Sequence, residues 1–350
     1  MRGTPVERAG PRWRMALASA CICSIDFMTI WIPGRRAKMN CDRPQLAAAV
    51  AARFHEGRAS LHGARFFCFI LLYLVGATGA VMMSARGMEG WQWLLCVPFH
   101  LLAAASLHGI SLFTHEAVHG TLCRNRTANA VLGAVCAIPV LQNYSAYRVL
   151  HLRHHLHLGE EGDPDHYANY TRWSWLVFCM NWARLLAGYP VYIIAIPILG
   201  FKHGDAVARA GILAEVAVTA LLVSAICLSP IPASWVWHAW VIPMIFINTM
   251  VNIRGMSQHT LLEHADDEVK GTRSILTGRL VRFFMCNENY HLEHHLYPGV
   301  PWHNLPEVHG QLGEDLRRRG APYISSYSSF VGEFIRGSLQ RSPLGWRNRE

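Results

Sequence analysis

Charge is scarce in this sequence. Asp, Glu, Lys and Arg make up 16% of the 350 residues, against about 25% in an average soluble protein. With 52% hydrophobic residues, the chain carries too much apolar surface to be disordered. None of the ten cysteines forms a Cys-x-x-Cys pair, and several lie inside apolar runs, so they read as buried free thiols. No cysteine set has iron–sulfur spacing, no Gly-x-Gly-x-x-Gly fingerprint is present, and no fused haem domain is apparent. Repeats and low-complexity tracts are absent as well. The net charge is +9, but the Lys and Arg residues flank long apolar runs. That pattern argues against a soluble nucleic-acid binder and for a membrane protein with basic cytoplasmic flanks.

Residues 66–85 form an uncharged run of 20 residues bounded by Arg65 and Arg86, long enough to span a bilayer. Residues 91–113 form a second span, with Trp91 and Trp93 as interfacial anchors. The short link between them predicts an antiparallel hairpin. The apolar piece at 130–141 is too short to cross. From 216 to 253 there is no Asp, Glu, Lys or Arg. This stretch suits two spans, about 211–229 and 235–253, with the turn in Ser-Pro-Ile-Pro-Ala-Ser at 229–234.

The apolar segment 173–201 is interrupted by Arg184, Pro190 and Pro197. It lies between histidine-rich boxes. If these boxes form one site, an even number of crossings separates them, and the hairpin at 211–253 already supplies two. The segment is therefore expected to lie along the membrane surface. Charge agrees with this topology. Five Arg residues fall in 114–172 and twelve Lys or Arg residues in 254–350, whereas the short outer links contain only Arg86. Both polar regions are expected on the cytoplasmic side. Near the N-terminus, Met15–Pro33 resembles a signal peptide or an extra anchor but contains Asp26. A third N-terminal crossing would invert the orientation, so residues 1–60 are read as a surface-lying leader, or as an over-long start with Met39 as initiator.

Histidine is the abundant chemical residue, with 20 copies. Box one is His115-Glu-Ala-Val-His119, box two His151-Leu-Arg-His154-His155, and box three His291-Leu-Glu-His294-His295. On a helix, positions i, i+3 and i+4 share one face, so each box presents its imidazoles together. The three boxes supply eight nitrogen ligands. One tetrahedral zinc takes four. Eight imply two ions, and nitrogen-rich sites with open positions suit iron that meets oxygen. Box one alone also reads as His-Glu-x-x-His, the zinc-protease signature with Glu116 as base. An intramembrane protease leaves the six other box histidines unexplained. A histidine-rich metal transporter is a second rival, but it should place its ligands near the bilayer midplane, and these boxes lie outside the spans.

The boxes, in this order, resemble those of the integral-membrane di-iron fatty acid desaturases and hydroxylases. Residues 289–306, Asn-Tyr-His-Leu-Glu-His-His-Leu-Tyr-Pro-Gly-Val-Pro-Trp-His-Asn-Leu-Pro, are particularly similar to the third box of bacterial members. The resemblance covers about 65–310. It implies four spanning helices and a cytosolic cap that holds two irons. It also implies a further ligand after the last span, in an Arg-x-x-x-Glu-His pattern. Arg254-Gly-Met-Ser-Gln-His259 matches with Gln258 in place of Glu, which makes His259 the ninth metal candidate; Glu263-His264 is a competing match. Carboxylates usually orient metal-bound imidazoles, and the candidates for that role are Glu116, Asp163, Asp165, Glu263 and Glu293, with His264 as a further outer-layer candidate. His108, seven residues before His115, shares its helix face. Gly-Asp-Pro-Asp at 162–165 also resembles carotenoid ketolases, close relatives of this family.

The expected fold class is all-α integral membrane, with four transmembrane helices and a cytosolic histidine-rich di-iron cap. The expected domains are a leader at 1–60, a membrane domain at 61–310 and a cytosolic tail at 311–350. By the resemblance, the protein is an oxygen-dependent oxidoreductase that introduces a double bond into a fatty acyl chain. The alternatives on the same scaffold are a lipid hydroxylase or a carotenoid ketolase or hydroxylase. The implied cofactors are two iron ions, with dioxygen as co-substrate. Because the chain lacks an electron carrier of its own, a soluble ferredoxin, rubredoxin or cytochrome is implied. The basic residues Arg279, Arg282, Arg317, Arg318 and Arg319 face either that acidic carrier or anionic lipid headgroups. The expected location is a bacterial inner membrane, with the catalytic face in the cytoplasm.

Overall fold

The computed structural model describes residues 53–87, 89–262, 267–341 and 343–345. All lie in one compact unit, Arg35–Glu350. The leader expected at 1–60 falls almost wholly outside them. Among the described residues, five helices are long and apolar enough to cross a membrane. They are α1 (Ala59–Ser84), α2 (Val97–Val118, entered through a 3-10 stretch from Gly90), α5 (Ser174–His203), α6 (Ala206–Leu228) and α7 (Ala233–His259, with a π-turn at Trp237–Val241). Between α2 and α5 run α3 (Arg126–Ala137) and α4 (Tyr144–Leu156). After α7 come β1 (Ser274–Ile275), α8 (Arg279–Phe284), α9 (His291–Leu296), α10 (Leu305–Arg318), β2 (Tyr323–Ile324) and α11 (Tyr327–Gln340).

The hairpin expected at 66–113 is α1 and α2, drawn together by small residues. A Cβ on Gly76 would sit 2.7 Å from the Ala103 nitrogen and 2.8 Å from the Phe99 oxygen, and one on Gly109 would meet the Phe69 ring at 2.5 Å. Glycine at both positions lets the two helices approach backbone to side chain, the packing that small residues allow where both surfaces are apolar. Phe69, Leu107 and Phe113 fill the seam, with Ile247 of α7 and Trp302 of the cap.

The segment expected to lie along the surface at 173–201 is one long helix, α5, bent at Ala187 (φ −146°, ψ 27°). It is also one of the five long apolar helices, so four spans is not the count that length and apolarity give. Pro190 has no N–H to offer and removes the donor that Leu186 would use one turn back. Asn248 of α7 repairs the break: its Nδ2 donates to the Leu186 carbonyl at 3.0 Å, and its Oδ1 accepts from the Tyr189 N–H at 3.0 Å. The prolines therefore bend the helix without ending it, because a neighbouring amide takes both freed groups.

The short apolar piece at 130–141 is also bent. The helical stretches 126–140 and 144–156 meet at 104°, with Leu141 left-handed at φ 57°. Trp240 Nε1 donates to the Pro139 carbonyl and the Tyr189 hydroxyl to the Val140 carbonyl, each at 2.7 Å. Asn143 caps α4 by accepting from the Ala146 N–H at 2.8 Å. This elbow turns α4, with box two, back toward the end of α2.

Among the described residues, the cap departs from all-α only in a two-residue parallel pair, Ser274 with Tyr323 and Ile275 with Ile324. Helix α10 runs across residue 310 and buries Leu305, Val308, Leu312 and Leu316 against Leu292 and Leu296 of α9. In α11, Phe330 and Phe334 pack on Met256 of α7 and Val177 of α5. Thus α10 braces box three, and α11 braces the helix that ends in His259.

The Gly76 contact yields a stability prediction. Valine there must push α1 off α2, at a cost of about 1–3 kcal/mol for overpacking. The thermal unfolding midpoint of Gly76→Val in detergent is expected to fall below wild type, whereas Gly63→Val, where an added Cβ meets nothing within 4 Å, leaves it near the wild-type value.

Candidate metal centre

Box one ends α2, so His115 lies in its last turn and His119 caps it. Box two occupies the last turns of α4, box three forms α9, and His259 is the final residue of α7. The elbow before α4 and the turn before α9 bring these four helix ends together. Cys286 and Asn287, both left-handed at φ 44° and 55°, make that second turn.

The ring nitrogens converge in two groups. In the first, the ligand atoms of His115, His119, His151 and His294 lie within 4.8 Å of one another. His155 joins them, its Nε2 3.1 Å from that of His151 and 3.2 Å from that of His294. In the second group, His154, His259 and His295 also have ligand atoms within 4.8 Å of one another. The Nε2 of His291 lies 3.1 Å from those of His259 and His295. The His155 and His295 rings stack at 4.1 Å and join the groups. All nine box and ninth-ligand candidates therefore meet in one site. His264, the competing candidate, and Glu263 lie outside the described residues.

Burial favours the neutral form of most of these imidazoles. It pushes His291, His294 and His295 well below their ordinary value, reinforced by the neighbouring histidines, and holds His119 down to about 3 with help from Arg148. A metal ligand needs this lone pair free of a proton. The groups also test whether a metal fits. Both nitrogens of His115 are buried without a hydrogen-bond partner, a costly arrangement for a polar atom. Its neighbours in the first group are other acceptor nitrogens. A cation satisfies all of these lone pairs at once, so two metal ions fit the donor set.

The nitrogens that face away are held by the protein. Asp163 Oδ1 lies 2.8 Å from His154 Nδ1 and itself accepts from the Asp165 N–H, while Asp163 Oδ2 accepts from the Gly159 N–H. Burial opposes charge on His154, but Asp163 outweighs it and raises His154. His259 Nδ1 donates to the Gly271 carbonyl at 3.1 Å, which leaves Nε2 as the acceptor. Glu288 reaches both groups: Oε1 is 3.4 Å from His115 Nδ1 and Oε2 is 3.7 Å from His291 Nδ1. Arg254 Nη1 donates to Oε2 at 2.9 Å. Burial pushes Glu288 up to about 7 against the pull of Arg254.

Glu288 is absent from the sequence reading. Its signal was its place three residues before His291, together with an Arg254 that needs a carboxylate where Gln258 supplies none. The other outer candidates divide. Asp163 contacts a box histidine directly. Asp165 is half exposed, with Oδ2 3.9 Å from His154 Nδ1. Glu116 accepts instead from the Thr121 hydroxyl at 2.7 Å and the Trp302 N–H at 3.2 Å. Glu293 accepts from the Ser274 and Tyr323 hydroxyls and pairs with His309. The reason is helical phase. Positions i+1 and i+2 turn about 100° and 200° from the histidine face, so these two acids tie the boxes to the cap rather than to the imidazoles. His108 is buried one face-repeat above His115, with Nε2 unpartnered among the described residues.

The sequence pattern of the fatty acid desaturase family matches residues 91–327, which include every box. The chain is similar to dihydrorhizobitoxine desaturase of Bradyrhizobium elkanii, 27% identical over 292 residues, covering 74% of this chain and 77% of that protein. It is similar to a beta-carotene ketolase of Paracoccus, 29% identical over 239 residues, covering 62% and 83%. A third relative is the sn-1 oleoyl-lipid 12-desaturase of Synechocystis, 23% identical over 263 residues, covering 68% and 74%.

Two predictions follow from this geometry. Glu288→Gln keeps the shape but loses the negative charge that faces both groups. Its affinity for iron is expected to fall about 10–100-fold, read as bound iron per chain by plasma mass spectrometry across an iron titration; unchanged loading would contradict the assignment. The second concerns pH. Between about 3, where burial holds His119, and the ordinary value near 6.5, the unfolded chain takes up protons that the folded chain refuses. Folding stability therefore rises with pH across that window and is lost on acidification. The depressed His291, His294 and His295 act in the same sense, with the raised His154 opposing. The unfolding midpoint of metal-free protein is expected to drop between pH 7 and pH 4; a flat profile would rule the mechanism out.

Proposed function

The chain belongs to the fatty acid desaturase family, and on that premise we propose that it is an oxygen-dependent di-iron oxidoreductase that introduces a double bond into a lipid acyl chain. The observation that carries this reading is the convergence of nine imidazoles in two groups. His115, His119, His151, His155 and His294 would hold one iron, and His154, His259, His291 and His295 the other. Bound there, the irons supply the reduction of dioxygen and the removal of hydrogen from an unactivated methylene. The protein's own part is to keep the ligands neutral by burial, to hold their outer nitrogens with Glu288, Asp163 and the Gly271 carbonyl, and to seat the site at the ends of apolar helices.

Topology supports a four-span arrangement. Box three and box two meet in one site, so the chain between them crosses an even number of times. Three of the long apolar helices lie in that interval, α5, α6 and α7. Helix α5, bent at Ala187 and bridged by Asn248, is the one that does not traverse. The excess of Lys and Arg in the polar regions sets the site on the cytoplasmic side, in a bacterial inner membrane. Electrons come from a soluble ferredoxin, rubredoxin or cytochrome.

Ketolation or hydroxylation of a carotenoid is the second reading, favoured by the ketolase relative and by Gly-Asp-Pro-Asp. That motif serves mainly to place Asp163 on His154, a task any reaction at this centre needs. The zinc-protease reading loses support because Glu116 is engaged by Thr121 and the Trp302 N–H, whereas a general base must reach the metal-bound water. The transporter reading loses support because the histidines gather at helix ends rather than at mid-span.

The test is a mass-spectrometric profile of lipids and pigments from cells that express the chain, against His294→Ala/His295→Ala. Both acyl and carotenoid substrates and a ferredoxin system are supplied. Loss of two hydrogens that depends on the intact histidines is expected. Gain of oxygen would move the reaction to hydroxylation or ketolation, and purified protein without iron would overturn the di-iron reading.

A further inference from the structure

Arg273 is a buried cation with no directly paired carboxylate among the described residues. It is 4% exposed, and its Nη1 donates only to neutral carbonyls, Ser257 at 2.8 Å and Thr260 at 3.3 Å. Its Nε is buried with no hydrogen-bond partner among the described residues. Its guanidinium lies 5.6 Å from the Phe330 ring, and no carboxylate forms an ion pair with it among the described residues. Burial lowers its pKa, with the nearby Glu333 opposing. A buried charge is costly unless it is paired, so this arrangement is incomplete as it stands.

Arg273 opens onto a cavity of about 400 Å³ lined also by Leu261, Glu333, Arg336, Gly337, Gln340 and Arg341. Three guanidinium groups face one carboxylate there. The cavity sits between the end of α7 and the last turns of α11, well apart from the nine histidines in side-chain composition but tied to them by backbone. The Arg273 N–H donates to the Gln258 carbonyl at 2.8 Å, one residue before His259. On the topology proposed above, the end of α7 lies where a long apolar helix leaves the hydrocarbon, the level at which headgroup phosphates lie.

We propose that Arg273, Arg336 and Arg341 form a binding site for a phosphate-bearing head group. The guanidinium fork matches phosphate oxygens in pairs, and the cavity is open enough to admit a head group while its floor, Arg273, is dry. The phosphate belongs either to a membrane lipid or to a free phosphate ester. The two arms of the test separate these sources. Glu333 lines the same cavity and is outnumbered by the cations.

The experiment is native mass spectrometry of the full-length, iron-loaded protein in detergent, titrated with dioleoylphosphatidylglycerol, with dioleoylglycerol (which has no phosphate), and with inorganic phosphate. Arg336→Gln/Arg341→Gln alters exposed side chains that brace no core. Arg317→Gln/Arg319→Gln, at the C-terminal end of α10, removes the same charge elsewhere. Phosphatidylglycerol is expected to bind the wild type in preference to dioleoylglycerol, and the Arg336/Arg341 variant is expected to lose about ten-fold or more in affinity while the Arg317/Arg319 variant does not. Displacement of the lipid by millimolar phosphate would extend the site to free phosphate esters. Equal binding of the two lipids, or an equal loss in both variants, would overturn the proposal, because the attraction would then be apolar or spread over the surface. Iron content, read in the same samples, is expected to be equal in all three proteins. A failure of the di-iron reading would appear there and not in the lipid titration.

Discussion

Nine imidazole nitrogens drawn into one dry volume are the constraint on which the rest of this structure depends. Ring nitrogens 2.9–3.3 Å apart form a donor set that a cation would satisfy. Burial serves this arrangement twice. It disfavours protonation of most of the rings, and it keeps the carboxylates that orient them from being screened by water. Glu288 is the pivot because it is the group that reaches one histidine of each set, while Arg254 holds it in place. The two groups of histidines are therefore coupled through one carboxylate.

The apolar helices make that convergence possible by ending together. Helices α2 and α7 deliver box one and His259 from within the apolar bundle, and the 104° elbow returns box two to them. Each break in regular helix has its freed backbone groups taken by a neighbour. Asn248 serves the bend in α5, while Trp240 and Tyr189 serve the elbow. In an apolar surrounding an unmet carbonyl costs several kcal/mol, so these few polar side chains let an irregular chain persist beside lipid. The cap then closes the site from the other side, with α10 bracing α9 and α11 bracing the end of α7.

Much of this was readable in one dimension. Helical spacing within His115–His119, His151–His155 and His291–His295 determines which rings share a face, because that is local geometry. Runs without charge locate α1, α2, α6 and α7 to within several residues, because crossing a bilayer demands length and apolarity. Asp163 was also within reach, since it follows box two closely enough for a short loop to fold it back onto His154. The acids inside the boxes were harder to read. Glu116 and Glu293 sit beside ligands in sequence, and only helical phase sends them away.

What the sequence by itself determined, then, is the kind of chemistry and the kind of medium. Its histidine spacing calls for metal, and its lack of charge calls for a membrane. Tertiary structure decided the rest. How five rings of one set come from all three boxes, and four of the other from boxes two and three and the end of α7, depends on where four helix ends meet. That Glu288 stands between them depends on a left-handed turn at Cys286 and Asn287. That Pro190 bends α5 without ending it depends on an asparagine 58 residues away. Each of these is a contact between segments distant in the chain. No local propensity encodes such contacts, because their free energy exists only once both partners have been brought together.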